Sequence, residues 1–177
     1  MNNNFMLYLA LDLDNIVSKL RYSKDVDTPG EISTDMLHTL ILDDKQMLVD
    51  NGGVRLTLDN VLRGDSIYWS VIRLPSYKSY YSAVLTKYKA IGNNTQIMSK
   101  PELNVKSVKL PYIKNDDEQE IEVVKIKNNY WRSEVMSVGD VKSQDYQGHF
   151  SIYDANGLLV GYSTFKHKLI LNPLSKN

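Results

Sequence analysis

The sequence predicts an all-β fold, a two-sheet antiparallel sandwich of jelly-roll-like character with one short helix near the N-terminus. Three observations lead there. Short runs of β-branched, aromatic and leucine residues recur along the chain. Turn residues (Asn, Asp, Gly and Pro) punctuate them at regular spacing, and a helical apolar period is found only once. Roughly nine to eleven strands of this kind fit a sandwich or barrel rather than an α/β sheet.

The first element is Phe5-Met6-Leu7-Tyr8-Leu9-Ala10-Leu11, apolar at every position, as a strand buried on both faces would be. Asp14 is the expected cap of a short helix in which Ile16, Val17 and Leu20 share a face. Residues 22–34 are polar around Thr28-Pro29-Gly30 and read as a loop. Residues 36–42 form the next strand. Met47 to Val49, Asn51-Gly52-Gly53 and Arg55 to Leu58 together predict a hairpin, because glycine takes positive φ cheaply.

Gly64-Asp65 opens a strand over Ser66 to Leu74 that Pro75 halts. Tyr80 to Tyr88 is another, with Tyr81, Ala83 and Leu85 on one face and Ser82, Val84 and Thr86 on the other. Val105 to Leu110 alternates as an edge strand would, and Asn115-Asp116-Asp117-Glu118 is an acidic loop tip. Further strands are expected at Ile121 to Lys127, Tyr130 to Val138, His149 to Tyr153, Leu158 to Phe165 and Lys168 to Leu171. Asn156-Gly157 is the strongest hairpin signal in the chain, as a turn needing positive φ at both residues. Without internal repeat or linker, residues 1–177 are expected to form a single domain.

Composition narrows function by exclusion. Apolar residues make up 42% and charged residues 24%, ordinary values for a globular protein. Lysine plus arginine number 21, as do aspartate plus glutamate, so no basic excess points to nucleic acid. Zero net charge also removes the self-repulsion that keeps copies apart. With no cysteine, disulfides, zinc-thiolate sites and cysteine nucleophiles are excluded. The start Met1-Asn2-Asn3-Asn4 lacks the basic region of a secretory signal, and no run approaches the roughly 18 apolar residues that span a bilayer. Cytoplasmic localisation and no membrane partner are therefore expected.

No catalytic, cofactor-binding or metal-ligating constellation emerges from the motifs. The histidines are His38, His149 and His167, and only His149 and His167 have a route to convergence, across the C-terminal hairpin. Asp12 and Asp14 share a strand face, an arrangement that serves either helix capping or a divalent cation. Met36, Met47, Met98 and Met136 read as core filler. The twelve tyrosines are the unusual feature. Tyr77, Tyr80, Tyr81, Tyr88 and Tyr112 cluster in one stretch and are the candidate surface for protein contacts or for stacking on sugar rings.

Gly64-Asp65-Ser66-Ile67-Tyr68-Trp69 resembles the Gly-Asp-x-Ile-x-Trp strand opening of the PixA/AidA inclusion-body protein family. Leu9 to Ile16 is similar to the family's N-terminal strand, aspartate and helix start. Tyr130-Trp131, Gly139, Tyr146 to Phe150, Ile152-Tyr153-Asp154, Gly157 and Gly161-Tyr162 follow its closing order. The chain departs from the family after Tyr162, where Ser163-Thr164-Phe165-Lys166 replaces an aromatic residue and Asp-Pro, and it is methionine-poor for a member.

The resemblance implies a bacterial, non-enzymatic protein without cofactor that accumulates in ordered cytoplasmic inclusion bodies. It implies no catalytic residue. Expected partners are further copies of the chain, as a homodimer or higher homo-oligomer. The alternative is a lectin-like module that binds glycans. Gly64 and Gly157 are expected at turns, Asp65 and Asp154 on turn backbone, and Trp69 and Trp131 in the core.

Overall fold

A computed structural model of the chain describes residues 3–42, 47–50 (backbone only), 55–74, 80–92, 97–114, 120–138 and 142–173. The N-terminal strand β1 (Asn4–Leu11) buries Phe5, Leu7, Leu9 and Leu11 on its inward face. Ala10 is buried on the opposite face, which explains an apolar run with little polar alternation. The helix α1 (Leu13–Ser18) follows at once. Its N-cap is Asp12 rather than Asp14: the Asp12 carboxylate accepts from the Asn15 backbone N–H at 3.1 Å and from its side-chain amide at 2.6 Å. Ile16 is fully buried, but Leu20 lies beyond the helix at φ 54°, 73% exposed, and shares no apolar face with it.

The expected loop at 22–34 contains a two-residue strand, β2 (Gly30–Glu31), and leads through a single 3-10 turn (Thr34–Met36) into β3 (Leu37–Leu42). β4 (Met47–Asp50) pairs back onto β3, whereas β5 (Arg55–Val61) joins the opposite sheet. Asn51-Gly52-Gly53, outside the described residues, therefore separates strands of two sheets, and the expected hairpin is replaced by a crossover. The remaining strands are β6 (Ser66–Arg73), β7 (Ser82–Ile91), β8 (Glu102–Ile113), β9 (Ile121–Glu134), β10 (Lys142–Tyr153) and β11 (Leu159–Pro173). Each of β8 to β11 is longer than the sequence predicted. Two expected pairs of strands, at 121–138 and 158–171, are the continuous strands β9 and β11.

Two sheets form a sandwich. One has six strands in the order β4-β3-β1-β6-β9-β8; the other has five, β2-β11-β10-β7, with β5 also on β11. Both are mixed rather than antiparallel, since β1 runs parallel to β6, and β11 runs parallel to β2 and to β5. Turn chemistry reports only neighbours joined by short loops, and parallel neighbours require long crossovers. Leu7, Leu9, Ile67 and Trp69 from one sheet, with Tyr146, Phe150, Phe165 and Leu169 from the other, belong to the hydrophobic core. Full burial of an aliphatic or phenylalanine side chain contributes about 1.5–3 kcal/mol, so this layer dominates the folding energetics. Met36 and Met98 lie in it; Met136 is 45% exposed and does not fill the core, and the side chain of Met47 lies outside the described residues.

The Gly64-Asp65-Ser66-Ile67-Tyr68-Trp69 segment ties the sheet together. Asp65, completely buried, accepts from the Asn3 N–H through Oδ1 at 2.7 Å and from the Leu62 N–H through Oδ2 at 2.8 Å. One carboxylate thus fixes where β1 and β6 begin, while Ile67 and Trp69 point inward. At the other end of the sequence, Asp154 Oδ1 accepts from the N–H groups of Asn156 and Leu158, both at 2.9 Å. Gly157 has φ 74°, but Asn156 is not in the positive-φ region. The β10–β11 connection is a turn followed by a left-handed glycine, with a register shift at Tyr153, rather than the expected turn with two positive-φ residues.

Candidate functional site

The tyrosines that sequence proximity grouped are distributed over different environments. Tyr77 lies outside the described residues. Tyr80 is 70% exposed with the Arg73 guanidinium over its ring, Tyr81 packs partly against the core, and Tyr88 is buried. Tyr112 stands on the opposite sheet, where its hydroxyl donates to Glu122 at 2.5 Å. Tyr88 is inward because of a β-bulge. Leu85 pairs with Phe150 and Lys87 with His149, leaving Thr86 as an extra residue that reverses the alternation beyond it.

Inside the sandwich, Tyr88 stacks on Tyr146 with ring centroids 5.2 Å apart and planes 6° apart, and Trp69 and His167 pack against both. The Tyr88 hydroxyl hydrogen-bonds Nε2 of His167. Burial pushes both tyrosine hydroxyls up and lowers His167 to about 3, so at neutral pH the imidazole is uncharged. His149 is on the other face of the same sheet, paired with Thr164, whereas His167 is paired with Tyr146. The two histidines do not converge. Among the described residues, no group of three or more His, Cys, Asp or Glu side chains is arranged to hold a metal ion.

Two features on the surface have a shape suited to binding. The first is an arm. β8 pairs with β9 from Glu102↔Arg132 to Ile113↔Ile121, but β6 pairs with β9 only over Trp131 to Glu134. Among the described residues, the remainder of both strands has no other sheet partner. Opposed residues in an antiparallel pair share a face. One face carries Leu110 opposite Val124 and Val108 opposite Ile126; the other carries Pro111 opposite Val123 and Ile113 opposite Ile121. Leu103, Val105, Leu110, Ile113, Ile121, Val123, Val124 and Ile126 are all exposed, Ile121 by 64%. Lys106, Lys109, Lys125 and Lys127 are interleaved with them. At the root of the arm the Trp131 indole N–H donates to the Leu85 carbonyl at 3.0 Å, tying the arm to the second sheet. Trp131 is accordingly half-buried, between core and arm.

The second feature is a recess of about 410 Å³ on the outer face of the five-stranded sheet. Thr86, Lys87, Lys89 and His149 form one side, and Val26, Asp27, Pro29 and Tyr162 the other. Partial burial lowers His149, and the charges of Lys87 and Lys89 lower it further. Val105 to Leu110, expected as an edge strand, lies in β8 at the edge of the six-stranded sheet, but its alternation gave no sign that β8 and β9 run on beyond β6. No sequence signal pointed to the recess, which brings together residues from positions 26 to 162.

Comparison with known proteins agrees with this architecture. The family described as PixA, inclusion body protein, matches residues 3–170. No curated protein matches the sequence. A crystal structure of an inclusion body protein of the PixA family from Burkholderia cenocepacia J2315 superposes with a TM-score of 0.74, at 16% identity and over 96% of each chain. At that identity the likeness is one of fold. No helix among the described residues is long and apolar enough to cross a membrane.

Proposed function

Because the chain belongs to the PixA inclusion body protein family, we propose that it is a non-enzymatic protein that self-associates into ordered inclusions. The observation that supports this reading is the β8–β9 arm. A two-stranded hairpin is marginally stable alone in water, and a long apolar strand with an unpaired edge is a template for another chain. Here eight aliphatic side chains are exposed on such a hairpin. Pairing with a second copy would bury those side chains and extend the sheet. The interleaved lysines hold unspecific edge pairing in check, and zero net charge keeps long-range repulsion between copies small.

The test is a variant carrying Leu110→Lys and Val124→Lys, both on exposed positions of one arm face. Light scattering and sedimentation should show large species for the natural chain and small ones for the variant, with the same melting temperature at dilutions where neither assembles. Identical assembly of the two proteins would remove the arm from the contact. A natural chain that stays monomeric at high concentration near its pI would end the self-association reading itself.

Binding of glycans is a second reading, favoured by the recess beside Tyr162, whose size suits a small ligand.

A further inference from the structure

The outer face of the five-stranded sheet concentrates positive charge through the same bulge that turns Tyr88 inward. A regular strand alternates faces, so only one of two consecutive residues can point outward. Across the bulge, Thr86 and Lys87 are both exposed between buried Leu85 and buried Tyr88. Lys89 follows on the outward side. A hydroxyl and two ammonium groups are therefore gathered within four residues, and all three line the recess.

The facing wall is held in place by a closed set of hydrogen bonds. Asp25 Oδ1 accepts from the Asp27 N–H and Asp25 Oδ2 from the Thr28 hydroxyl, both at 2.9 Å. Ser23 and Tyr162 exchange two backbone hydrogen bonds, of 2.8 and 2.9 Å, which clamp the start of this segment to β11. A wall fixed before binding lowers the ordering cost of a ligand. Of the charged groups facing the recess, Lys87 and Lys89 are cationic and Asp27 is anionic. Partial burial, and then the charges of Lys87 and Lys89, lower the proton affinity of His149 and favour its uncharged form. Two lysines against one aspartate leave one net positive charge, together with Asp27 and Thr86 as acceptors for ligand hydroxyl groups (the Thr86 hydroxyl itself donates to the His149 carbonyl at 3.1 Å) and the Tyr162 and Pro29 rings as apolar surface.

We infer that the recess binds a small anionic sugar derivative, with Lys87 and Lys89 on the acid group and Asp27 and Thr86 on ring hydroxyls. This rests on the glycan-binding reading and not on self-association. A carboxylate and a phosphate present the same chemistry to two lysines, so sugar acid and sugar phosphate are tested in parallel.

The experiment follows the His149 ring and the Thr86 and Lys87 amides of the full chain by NMR during titration with galacturonate, glucose 6-phosphate and glucose. Saturable shifts with one or both anionic sugars, and none with glucose, are expected. Lys87→Ala combined with Lys89→Ala changes two outward side chains. Loss of one charge-assisted contact costs about 1.5–3 kcal/mol, so the double variant should bind at least about tenfold more weakly. No saturable shift with either anionic sugar, or unchanged affinity in the double variant, would overturn the inference. Glucose binding as tightly as the anionic sugars would also overturn it, while leaving the broader glycan reading intact.

Discussion

The Tyr88 hydroxyl and the His167 imidazole, 79 residues apart in sequence, share a hydrogen bond in the middle of the core. A neutral phenol and a neutral imidazole share that bond, since burial disfavours the charged form of each. Folding therefore requires His167 to remain unprotonated. Its proton affinity is lowered from 6.5 to about 3. The unfolded chain takes up a proton below pH 6.5 and the folded chain does not, so stability is full above that pH and declines as pH falls toward 3. His149, also lowered, adds a smaller contribution of the same sign. Denaturant midpoints measured between pH 7 and 5 should fall for the natural chain and fall less for His167→Phe. Equal slopes would show that His167 is not the group responsible.

Gly148 lies beneath the ring of Phe165, its partner across β10 and β11. A Cβ at this position would sit 2.3 and 2.5 Å from two ring carbons, and Phe165 is itself 2% exposed with little room to shift. Gly148→Ala should destabilise by about 1–3 kcal/mol, the usual cost of overpacking. Pairing it with Phe165→Leu should recover part of that loss relative to the sum of the single changes. Strict additivity in chemical denaturation would contradict the contact.

The β10–β11 turn separates the roles of three neighbouring residues. Gly157→Ala forces a Cβ into the left-handed region and should cost about 1–2 kcal/mol. Asp154→Ala removes two backbone contacts and should cost about 1 kcal/mol. Asn156→Ala, at a residue outside the positive-φ region, should stay within about 0.5 kcal/mol. A cost at Asn156 matching that at Gly157 would restore the turn with two left-handed residues.

Amide exchange reads the arm directly. In dilute protein, the outer parts of β8 and β9 should exchange well before the paired centres of β10 and β11, because exposed hairpin hydrogen bonds open locally. In assembled protein the same amides should become protected. Protection elsewhere with an unchanged arm would move the contact to another surface.

Some of this architecture was open to reading from residue order alone. Asp65 directly follows Gly64 and Asp154 stands three residues before Gly157, and a carboxylate within a glycine-containing turn has backbone N–H groups in reach. The Tyr88 side chain was harder to place, because strict alternation from Leu85 sends it outward and the bulge at Thr86 leaves no mark in the sequence. The fate of Asn51-Gly52-Gly53 was equally hidden. Glycine permits a turn without specifying whether the chain returns to the same sheet or crosses to the other. Residue order leaves His149 and His167 a route to convergence across the hairpin, yet they lie on opposite faces of the sheet, because the parity of an 18-residue separation depends on the turn and register.

Residue order by itself determined the β character, the turn positions, the buried N-terminal strand and the family motifs, because these depend on side-chain size, alternation and local backbone preference. Tertiary structure decided the parallel pairings, the inward turn of Tyr88, the arm that β9 extends beyond β6, and the lysine-lined recess. Each of these depends on which strands lie side by side and in what register. Pairing energies between distant strands are set by the whole packed sandwich, and no window of sequence contains them.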